Sequence, residues 1–476
     1  IFCLRNNIRR FHWPTHKVGE FSMNQVEMPD ENRRRSFFLF CGLWGAFIVY
    51  SVASSPGGGI KANYRTDTLP VIWYAPFFSG GGYCSEAISF ALALRKAGVR
   101  VQIVQHGDGV NRDFVHGLPR GERELLVDMS QEHIDPRHAV VVCHSEPGAW
   151  HPSRWPTAMC PPPRSKYTVG RTMFETDRLP DGWDERLNKM DELWVPADFH
   201  VKTFREGGAK ASKLVVLGEP VDIDFFNPDD ARELTVPRGD ERETRFLSIF
   251  KWETRKGWDV LLKAYFHEFK EADNVCLYLL TNPFHSTSDF DAEIRKYTVE
   301  TLKMSPDALP KVVVLRPGLP QSKMPGLFQS VDALVQPSRG EGWGRPHVEA
   351  MSMGIPVVAT NWSGTTEFLT EENSYPLRYD GMSEIQDGAF KGHHWAEPSS
   401  THLQEILRDI HEHKDRAQSK GKQGRKDMMK FYSPSVMAEQ VISRLQEIEK
   451  KIKKQRPPPI GIEQEGLQRQ DSLLEL

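Results

Sequence analysis

Residues 338–358 read SRGEGWGRPHVEAMSMGIPVV, a glycine-rich loop followed by a short segment of mixed polarity and an apolar run. Pro346 suits the first turn of a helix and Gly354 suits the position just past its end, so the spacing predicts a short helix between them. Apolar runs before it, at 333–335, and after it, at 355–359, predict buried strands. A strand, a helix and a second strand in this order are typical of a parallel α/β sheet.

The same alternation extends along most of the chain. Further buried strands are predicted at 71–74, 99–104, 139–143, 193–195, 245–250, 275–280 and 312–315, with helices at 84–97, 260–269 and 324–329. Two such series predict an α/β protein with two Rossmann-like, doubly wound domains, at 69–235 and 236–425, facing a cleft. The polar stretch 229–243 is the predicted joint. A basic, Pro-rich and then Gln/Glu-rich segment, 453–476, predicts a disordered tail.

An uncharged run of seventeen residues, 37–53, follows three consecutive arginines at 33–35. A helix needs roughly 17–25 apolar residues to cross a bilayer core, and arginines on its amino-terminal side favour a cytosolic amino end. We therefore expect a cytosolic segment 1–36, a transmembrane signal anchor 37–54 and a linker 55–68. The domains would then lie in the lumen of the endoplasmic reticulum or Golgi. A cleaved signal peptide and a buried core helix are the alternative interpretations.

The composition narrows the class of protein. The chain of 476 residues has 61 Lys and Arg against 64 Asp and Glu, a net charge of -3, and 39% hydrophobic residues. These values exclude a collagen, a wholly disordered chain and a polytopic transporter. The charge balance also argues against a nucleic-acid partner, because proteins that coat nucleic acid usually carry a basic excess. Six cysteines without a CxxC pair do not predict a disulfide scaffold or a zinc ribbon.

Two candidate sites in the first half of the chain follow predicted strands, where open parallel sheets bind ligands. Gly80, Gly81 and Gly82 lead from the first strand into a helix, whose amino end favours an anionic or strongly polar ligand. A tight turn without a ligand is the alternative, and the missing GxGxxG pattern excludes a nicotinamide dehydrogenase. His144 ends the third strand and can exchange a proton at neutral pH. A packed histidine with satisfied hydrogen bonds is its alternative reading.

Cations follow the first strand of the second series, at 251, 255 and 256. Two cations in one strand-to-helix loop can clamp a diphosphate and neutralise its charge as the bond to it breaks. A solvated basic loop is the alternative. This cationic loop makes a metal unnecessary, and no convincing DxD-like pair of acids follows a strand, so we predict a metal-independent site without a cofactor.

Carboxylates mark two further segments. In residues 171–180, Glu175 and Asp177 stand between two arginines, which predicts a surface salt-bridge cluster. Glu341 lies in the glycine-rich loop and Glu349 on the helix that follows it. A carboxylate beside a phosphate site needs hydrogen-bond donors, and a ribose diol supplies two, so this pair indicates a nucleotide sugar. An amphipathic helix with solvated glutamates is the alternative.

At these residues the chain resembles the retaining glycosyltransferases of family four, which have the GT-B fold. The resemblance covers about 70–450 and depends on the E-x7-E pattern from Glu341 to Glu349 and the following GIPVVAT at 354–360. The segments 365–368 and 172–180 support it. The family usually has Gly-Arg where this chain has Phe250-Lys251. The ammonium group of a lysine therefore replaces a guanidinium that could donate two hydrogen bonds to one phosphate.

The resemblance implies roles for individual residues. Glu341 would contact the donor sugar and Glu349 the ribose, while His144 would face the reacting centre as a catalytic group together with Glu341. Donor-binding residues would be Gly80, Gly81, Gly82, Lys251, Lys256, Gly342, Trp343, Gly344 and Glu349. The apolar stripe from Met437 to Ile448 resembles the family's segment that crosses back to brace the first domain, here 426–452.

The function implied is hexosyl transfer with retention from a UDP- or GDP-sugar to a hydroxyl of a glycan, lipid or protein acceptor. The sugar would pass through an oxocarbenium-like state. The membrane is an expected partner through the one anchor helix. The alternative is a catalytically inactive, membrane-anchored scaffold that binds nucleotide sugars. A glycan phosphorylase would need a phosphate pocket, and nothing in the sequence singles one out.

Overall fold

The computed structural model describes residues 64–454 apart from 231, 233–235, 237–241, 285–287, 307–308 and 316–317. The expected cytosolic segment 1–36, the signal anchor 37–54, most of the linker 55–68 and most of the tail 453–476 lie outside the described residues. Among the residues that are described, no helix combines the length and the apolar character needed to cross a membrane.

The first half of the described chain forms a parallel sheet of six strands. They are β1 (Val71–Ala75), β2 (Val101–Gln105), β3 (Val140–His144), β4 (Tyr167–Arg171), β5 (Glu192–Val195) and β6 (Leu214–Val216), in the order β2-β1-β3-β4-β5-β6. Helices α1 (Gly82–Lys96), α2 (Arg112–Gly117), α3 (Arg120–Gln131), α4 (Trp183–Leu187) and α5 (Asp198–Glu206) connect them. The central strands β1 and β3 are buried almost throughout, which explains their nearly continuous apolar sequences, VIWYA and VVVCH.

The second half repeats this plan. Its strands are β7 (Thr244–Trp252), β8 (Val275–Pro283), β9 (Lys311–Leu315), β10 (Ala333–Gln336), β11 (Val357–Thr360) and β12 (Tyr375–Leu377), in the order β12-β11-β10-β7-β8-β9. Its helices are α6 (Trp258–Glu268), α7 (Phe290–Lys296), α8 (Met324–Gln329) and α9 (Arg345–Ser352). A separate antiparallel hairpin follows, formed by β13 (Tyr379–Glu384) and β14 (His394–Pro398). The two sheets agree with the expected pair of doubly wound domains.

The last three helices end the described fold: α10 (Ser400–Glu412), α11 (Lys414–Phe431) and α12 (Pro434–Lys454). The apolar stripe of α12 from Met437 to Ile452 is buried in the same core as β1 and α1 of the first domain. The chain therefore returns from the second domain to the first. The segment expected to cross, 426–452, begins within α11 and includes the break between the two helices at 432–433.

The strand order places one reversal in each sheet. β1 pairs with β2 on one side and β3 on the other, and β7 pairs with β8 and β10. Ligands in such sheets bind outside the carboxyl ends of the strands at these reversals. Gly80–Gly82 follow β1, His144 ends β3, Lys256 follows β7 and Ser338–Gly344 follow β10. The four segments singled out from the sequence thus stand at the two reversals.

Several elements differ from the sequence prediction. β4, β6, β12 and the hairpin were not predicted, because their sequences are short or polar and are strands only through their pairing with neighbours. The cysteine pattern predicted no disulfide scaffold, and the described residues contain one disulfide, between Cys143 at the end of β3 and Cys160 in the loop before β4. Sequence spacing alone does not reveal such a pair.

Candidate functional site

The glycine-rich loop between β10 and α9 packs directly on the first domain. A Cβ on Gly340 would lie 2.3 Å from the carbonyl oxygen of Glu175, and one on Gly342 would lie 2.4 Å from Sδ of Met173. Gly344, the residue before α9, has a φ of +117°, a region that side chains rarely adopt. Glycine is therefore required at these positions for the loop to meet the other domain and then enter the helix.

Glu341 in this loop forms a buried ion pair. The Nζ of Lys256 donates to both carboxylate oxygens, at 2.7 and 2.8 Å, and Nη1 of Arg255 donates to Oε2 at 3.3 Å. The backbone N–H of Glu341 donates to Oγ of Ser363 at 2.9 Å, which fixes the loop. Burial alone would raise the pKa of Glu341, but the charges of Lys256 and Arg255 lower this pKa to about 2. The carboxylate is therefore ionised at neutral pH.

Arg255 is the centre of a charged cluster, which we call the donor-loop cluster: Glu175, Glu253, Arg255, Lys256 and Glu341. The Nε of Arg255 is 3.1 Å from Oε1 of Glu175, which belongs to the first domain. Its Nη2 donates to Oε1 of Glu253 at 2.8 Å, and its Nη1 also donates to the carbonyl of Gly340 at 2.9 Å. The cluster holds three carboxylates and two cations, a formal charge of -1.

Glu349 lies on α9 and differs from Glu341 in having no close partner. It is 7% exposed, and its Oε1 lies 4.0 Å from Nε of Arg345, beyond hydrogen-bond distance. Within the described residues no hydrogen bond reaches its carboxylate. Burial raises the pKa of Glu349 to about 7, while the charge of Arg345 lowers it. Such a carboxylate can accept two hydrogen bonds from a diol.

Gly80–Gly82 lead from β1 into α1 in the first domain. Gly80 has a φ of +81°, and a Cβ there would touch the ring of Phe114 at 3.1 Å. Gly80 and Gly82 are exposed, and no side chain caps the amino end of α1. The exposed backbone amides at this helix end can donate to an anionic or polar ligand.

His144 is fully buried and uses both ring nitrogens inside the first domain. The indole N–H of Trp73 donates to its Nδ1 at 3.1 Å, so the proton of the neutral ring is on Nε2, which donates to Glu86 at 2.9 Å. Nε of Arg171 donates to the same carboxylate at 2.6 Å. Burial opposes ionisation of Glu86, but Arg171 and His144 lower its pKa to about 2. In this arrangement His144 orients buried groups and presents no free nitrogen to the cleft.

Lys251 is separated from the donor-loop cluster by its direction on β7. Its neighbours Phe250 and Trp252 are buried, whereas Lys251 is exposed, with Nζ 5.2 Å from the centre of the Phe284 ring. Arg255 occupies the place beside Lys256 that the sequence assigned to Lys251. Both cations were visible in the sequence, but only the structure shows that Arg255, in the turn after β7, reaches Glu341.

Three more residues at the site were not assigned from the sequence. Glu175 was read as part of a surface salt bridge and instead joins the two domains. Arg345 donates to the carbonyl of Pro220 at 2.6 Å and to Oγ of Ser89 at 3.2 Å, so it also bridges the domains. His347 is buried without a hydrogen-bond partner for either ring nitrogen among the described residues, and so is the indole N–H of Trp343, a residue that the sequence did assign to the site. Their positions within the quoted loop and helix were the available signal.

No cluster of three or more His, Cys, Asp or Glu side chains in the described part of the chain has the arrangement of a metal site.

The sequence of the second domain matches a known family. Residues 243–383 match the model of the family described as Glycosyl transferases group 1. The D-inositol 3-phosphate glycosyltransferase of Paenarthrobacter aurescens is 27% identical over 214 residues, which cover 44% of this chain and 46% of that protein. The lipopolysaccharide core biosynthesis mannosyltransferase LpsB of Rhizobium meliloti is 34% identical over 71 residues, 14% of this chain and 20% of that protein. The chain thus aligns with less than half the length of these relatives.

Solved structures are similar over a larger part of the chain. HepE of Anabaena, in complex with UDP and glucose, matches with a TM-score of 0.56 at 14% identity, covering 80% of this chain and 100% of that one. Sucrose-phosphate synthase of Thermosynechococcus elongatus matches with a TM-score of 0.55 at 14% identity and the same coverage of 80% and 100%. The chain has a GT-B-like fold. The expected architecture of two α/β domains with parallel sheets is therefore confirmed.

Proposed function

We propose that this protein is a retaining glycosyltransferase that moves a hexosyl group from a UDP- or GDP-sugar to an acceptor hydroxyl, without a metal. The observation that carries the proposal is Glu349, a buried carboxylate that accepts no hydrogen bond from the described residues, on the helix that begins at the donor-loop cluster. A ribose diol would satisfy it. The group 1 family match over the same residues supports this assignment.

The site offers a place for each part of such a donor. Lys256, Arg255 and the amino end of α9 would stabilise the departing diphosphate, because they supply positive charge where negative charge develops. Glu341, held in place by Lys256, would contact the sugar. The sugar would pass through an oxocarbenium-like state, and closure of the domains would keep water from the donor. The exposed backbone of Gly80–Gly82 would contact the donor phosphates or the acceptor, and the first domain would receive the acceptor.

A nucleotide titration tests this proposal. The full chain is titrated with UDP and then GDP by calorimetry, as wild type, as Glu349→Gln and as Glu405→Gln, an exposed glutamate on α10 that serves as the control. We expect one nucleotide to bind wild type and the control alike, and to bind the Glu349 variant at least tenfold more weakly. Binding of neither nucleotide to wild type would contradict the proposal.

Turnover separates the enzyme from the scaffold. If UDP binds, wild type is incubated with UDP-sugars, and if GDP binds, with GDP-sugars. Each reaction contains a panel of glycan, lipid and protein acceptors and is run with and without EDTA. Transfer at an equal rate in both conditions supports a metal-independent enzyme. Retention is tested by comparing the anomeric configuration of the product with that of the donor sugar, which should be the same. Nucleotide binding without any transfer would favour the inactive scaffold.

We also propose that the described domains lie in an oxidising lumen, held by the expected anchor at 37–54. The disulfide between Cys143 and Cys160 supports this location, because disulfides persist in secretory compartments and are rare in the cytosol. Alkylation of free thiols in intact cells, followed by reduction and mass spectrometry, is expected to find these two cysteines oxidised. Finding both alkylated would contradict a luminal location.

A further inference from the structure

His347 is a buried histidine whose ring nitrogens are both unused. It lies in the first turn of α9 and is 1% exposed, and neither Nδ1 nor Nε2 has a hydrogen-bond partner among the described residues. This differs from His144, which uses both nitrogens. A buried polar group without a partner costs free energy, so a position that retains one is expected to gain a partner in another state of the protein.

The ring stands at the open end of the helix. A Cβ on Gly344 would lie 2.5 Å from Nδ1 of His347, which places the imidazole against the residue that precedes α9. No side chain caps this end of the eight-residue helix. Pro346 has no N–H and the N–H of His347 donates to the carbonyl of Gly344 at 3.0 Å, so the helix end offers an anion the amide of Arg345. The helix end and the unpartnered imidazole are two independent features that would suit the same anion.

The groups facing His347 come from three other segments. They are Glu341 in the loop, Lys256 after β7 and the edge of Phe368, whose ring centre is 6.5 Å away. Burial lowers the pKa of His347 to about 4, Lys256 acts in the same direction, and Glu341 acts against it. The carbonyl of Gly344 also raises this pKa, although its contact with the ring lacks hydrogen-bond geometry. The ring is therefore neutral at pH 7 in the protein without a ligand.

The net negative charge around His347 would favour one more cation once a diphosphate is bound there. The donor-loop cluster already has three carboxylates against two cations, from the ion pairs of Arg255 and Lys256. A nucleoside diphosphate adds two or three negative charges, which the helix end, worth about half a charge, does not offset. A neutral imidazole beside such an anion gains a proton more easily, because an adjacent negative charge stabilises the imidazolium.

We propose that His347 is a further ligand of the donor diphosphate: its imidazole takes a proton from solvent as the nucleotide binds and donates a hydrogen bond to a phosphate oxygen. This inference rests on the proposed function and adds a residue to it. The imidazolium offsets charge on the diphosphate while the nucleotide is bound, and it returns the proton to solvent when the nucleotide leaves. No covalent bond forms or breaks in this step.

The test measures protons taken up on binding. The full chain is titrated with UDP, and then GDP, at pH 7 in two buffers that differ in ionisation enthalpy, as wild type and as His347→Leu. His200→Leu is the matched control, because His200 is also buried with both nitrogens unpartnered but lies on α5 in the first domain. We expect wild type and the control to take up a fraction of a proton. We expect the His347 variant to lose this uptake and to bind at least tenfold more weakly.

A second variant keeps the test decisive if the leucine disturbs the helix. His347→Gln keeps hydrogen-bond donors but cannot titrate, so we expect it to bind UDP more tightly than His347→Leu while taking up no proton through this position. Ionisation of Glu349 would release a proton in each of these proteins, so the uptake through His347 is taken as the difference between the control and each His347 variant. If proton uptake is unchanged in His347→Leu, this inference is wrong but the proposed function still stands. Binding of neither nucleotide to wild type would overturn the proposed function as well.

Discussion

Glu175 and Arg255 stand on opposite sides of the cleft, and their ion pair, 3.1 Å from Oε1 to Nε, joins the two domains beside the glycine-rich loop. Glu253 neutralises the same guanidinium from within the second domain, with 2.8 Å from its Oε1 to Nη2. One carboxylate thus links the domains while the other only balances charge. This difference allows the two roles to be measured separately.

Removing the carboxylate of either Glu175 or Glu253 leaves the positive charge of Arg255 less neutralised. For both Glu175→Gln and Glu253→Gln we expect UDP to bind about two- to fivefold more tightly, since less negative charge opposes the diphosphate. Only Glu175→Gln is expected to increase the radius of gyration of the ligand-free protein in small-angle X-ray scattering, because only it breaks a contact between domains. Equal scattering curves for the two variants would show that the ion pair does not hold the cleft closed.

The two lysines assigned to the diphosphate differ in the structure. Lys256 is partly buried and pairs with Glu341, whereas Lys251 is exposed beside Phe284. We expect Lys256→Met to reduce turnover of the nucleotide sugar by about a hundredfold or more, since it removes a positioned charge and leaves Glu341 with only the longer bond from Arg255. We expect Lys251→Met to change turnover less than about threefold. Comparable losses in kcat/KM for the two variants would return Lys251 to the diphosphate site.

Glu349 makes stability depend on pH. Its pKa rises from 4.5 to about 7 on burial, so the native state binds more protons than the unfolded state between these values. Stability from this group is therefore present at low pH and is lost as the pH rises towards 7 and above. Glu349→Gln is expected to match wild type near pH 4.5 and to melt a few degrees higher at pH 8. A constant difference in Tm between the two proteins from pH 5 to 8 would contradict this account.

Glu86 connects His144 to Arg171 in the core of the first domain. Glu86→Gln leaves the Arg171 guanidinium buried without its carboxylate, and we expect a loss of about 3–5 kcal/mol in unfolding free energy. The double variant Glu86→Gln with Arg171→Met removes both charges and is expected to recover part of that loss. Urea denaturation followed by tryptophan fluorescence measures both. A double variant less stable than the single one would show that Arg171 is held mainly by its contacts with the carbonyls of Leu217 and Gly218.

Much of the fold could be predicted from the sequence because its central strands are buried on both faces. Runs such as VIWYA and VVVCH have one interpretation, and their order along the chain indicates a parallel sheet. Polar edge elements such as β13, with the sequence YDGMSE, carry no comparable pattern, since pairing with β14 makes them strands. The site was predictable as a set of loops for the same topological reason.

Individual roles within those loops were less predictable, because they depend on side-chain direction. Lys251 lies near the end of β7 and Arg255 in the turn that follows it, yet the first is exposed and the second contacts Glu341. His144 ends a central strand, but its partners Trp73 and Glu86 come from elements 71 and 58 positions earlier in the chain. Such contacts are set by packing between distant segments, which local spacing does not report.

The return of α12 to the first domain has a consequence for biosynthesis. Seven side chains of this helix belong to the core that contains β1: Met437, Ala438, Val441, Ile442, Leu445, Ile448 and Ile452. A ribosome finishes β6 at Val216 and reaches α12 at Pro434, 218 positions later. At about 5–20 residues per second, this distance takes roughly ten to forty seconds. Each newly made chain therefore holds an apolar face uncovered for that interval, when chaperones would have to protect it from aggregation.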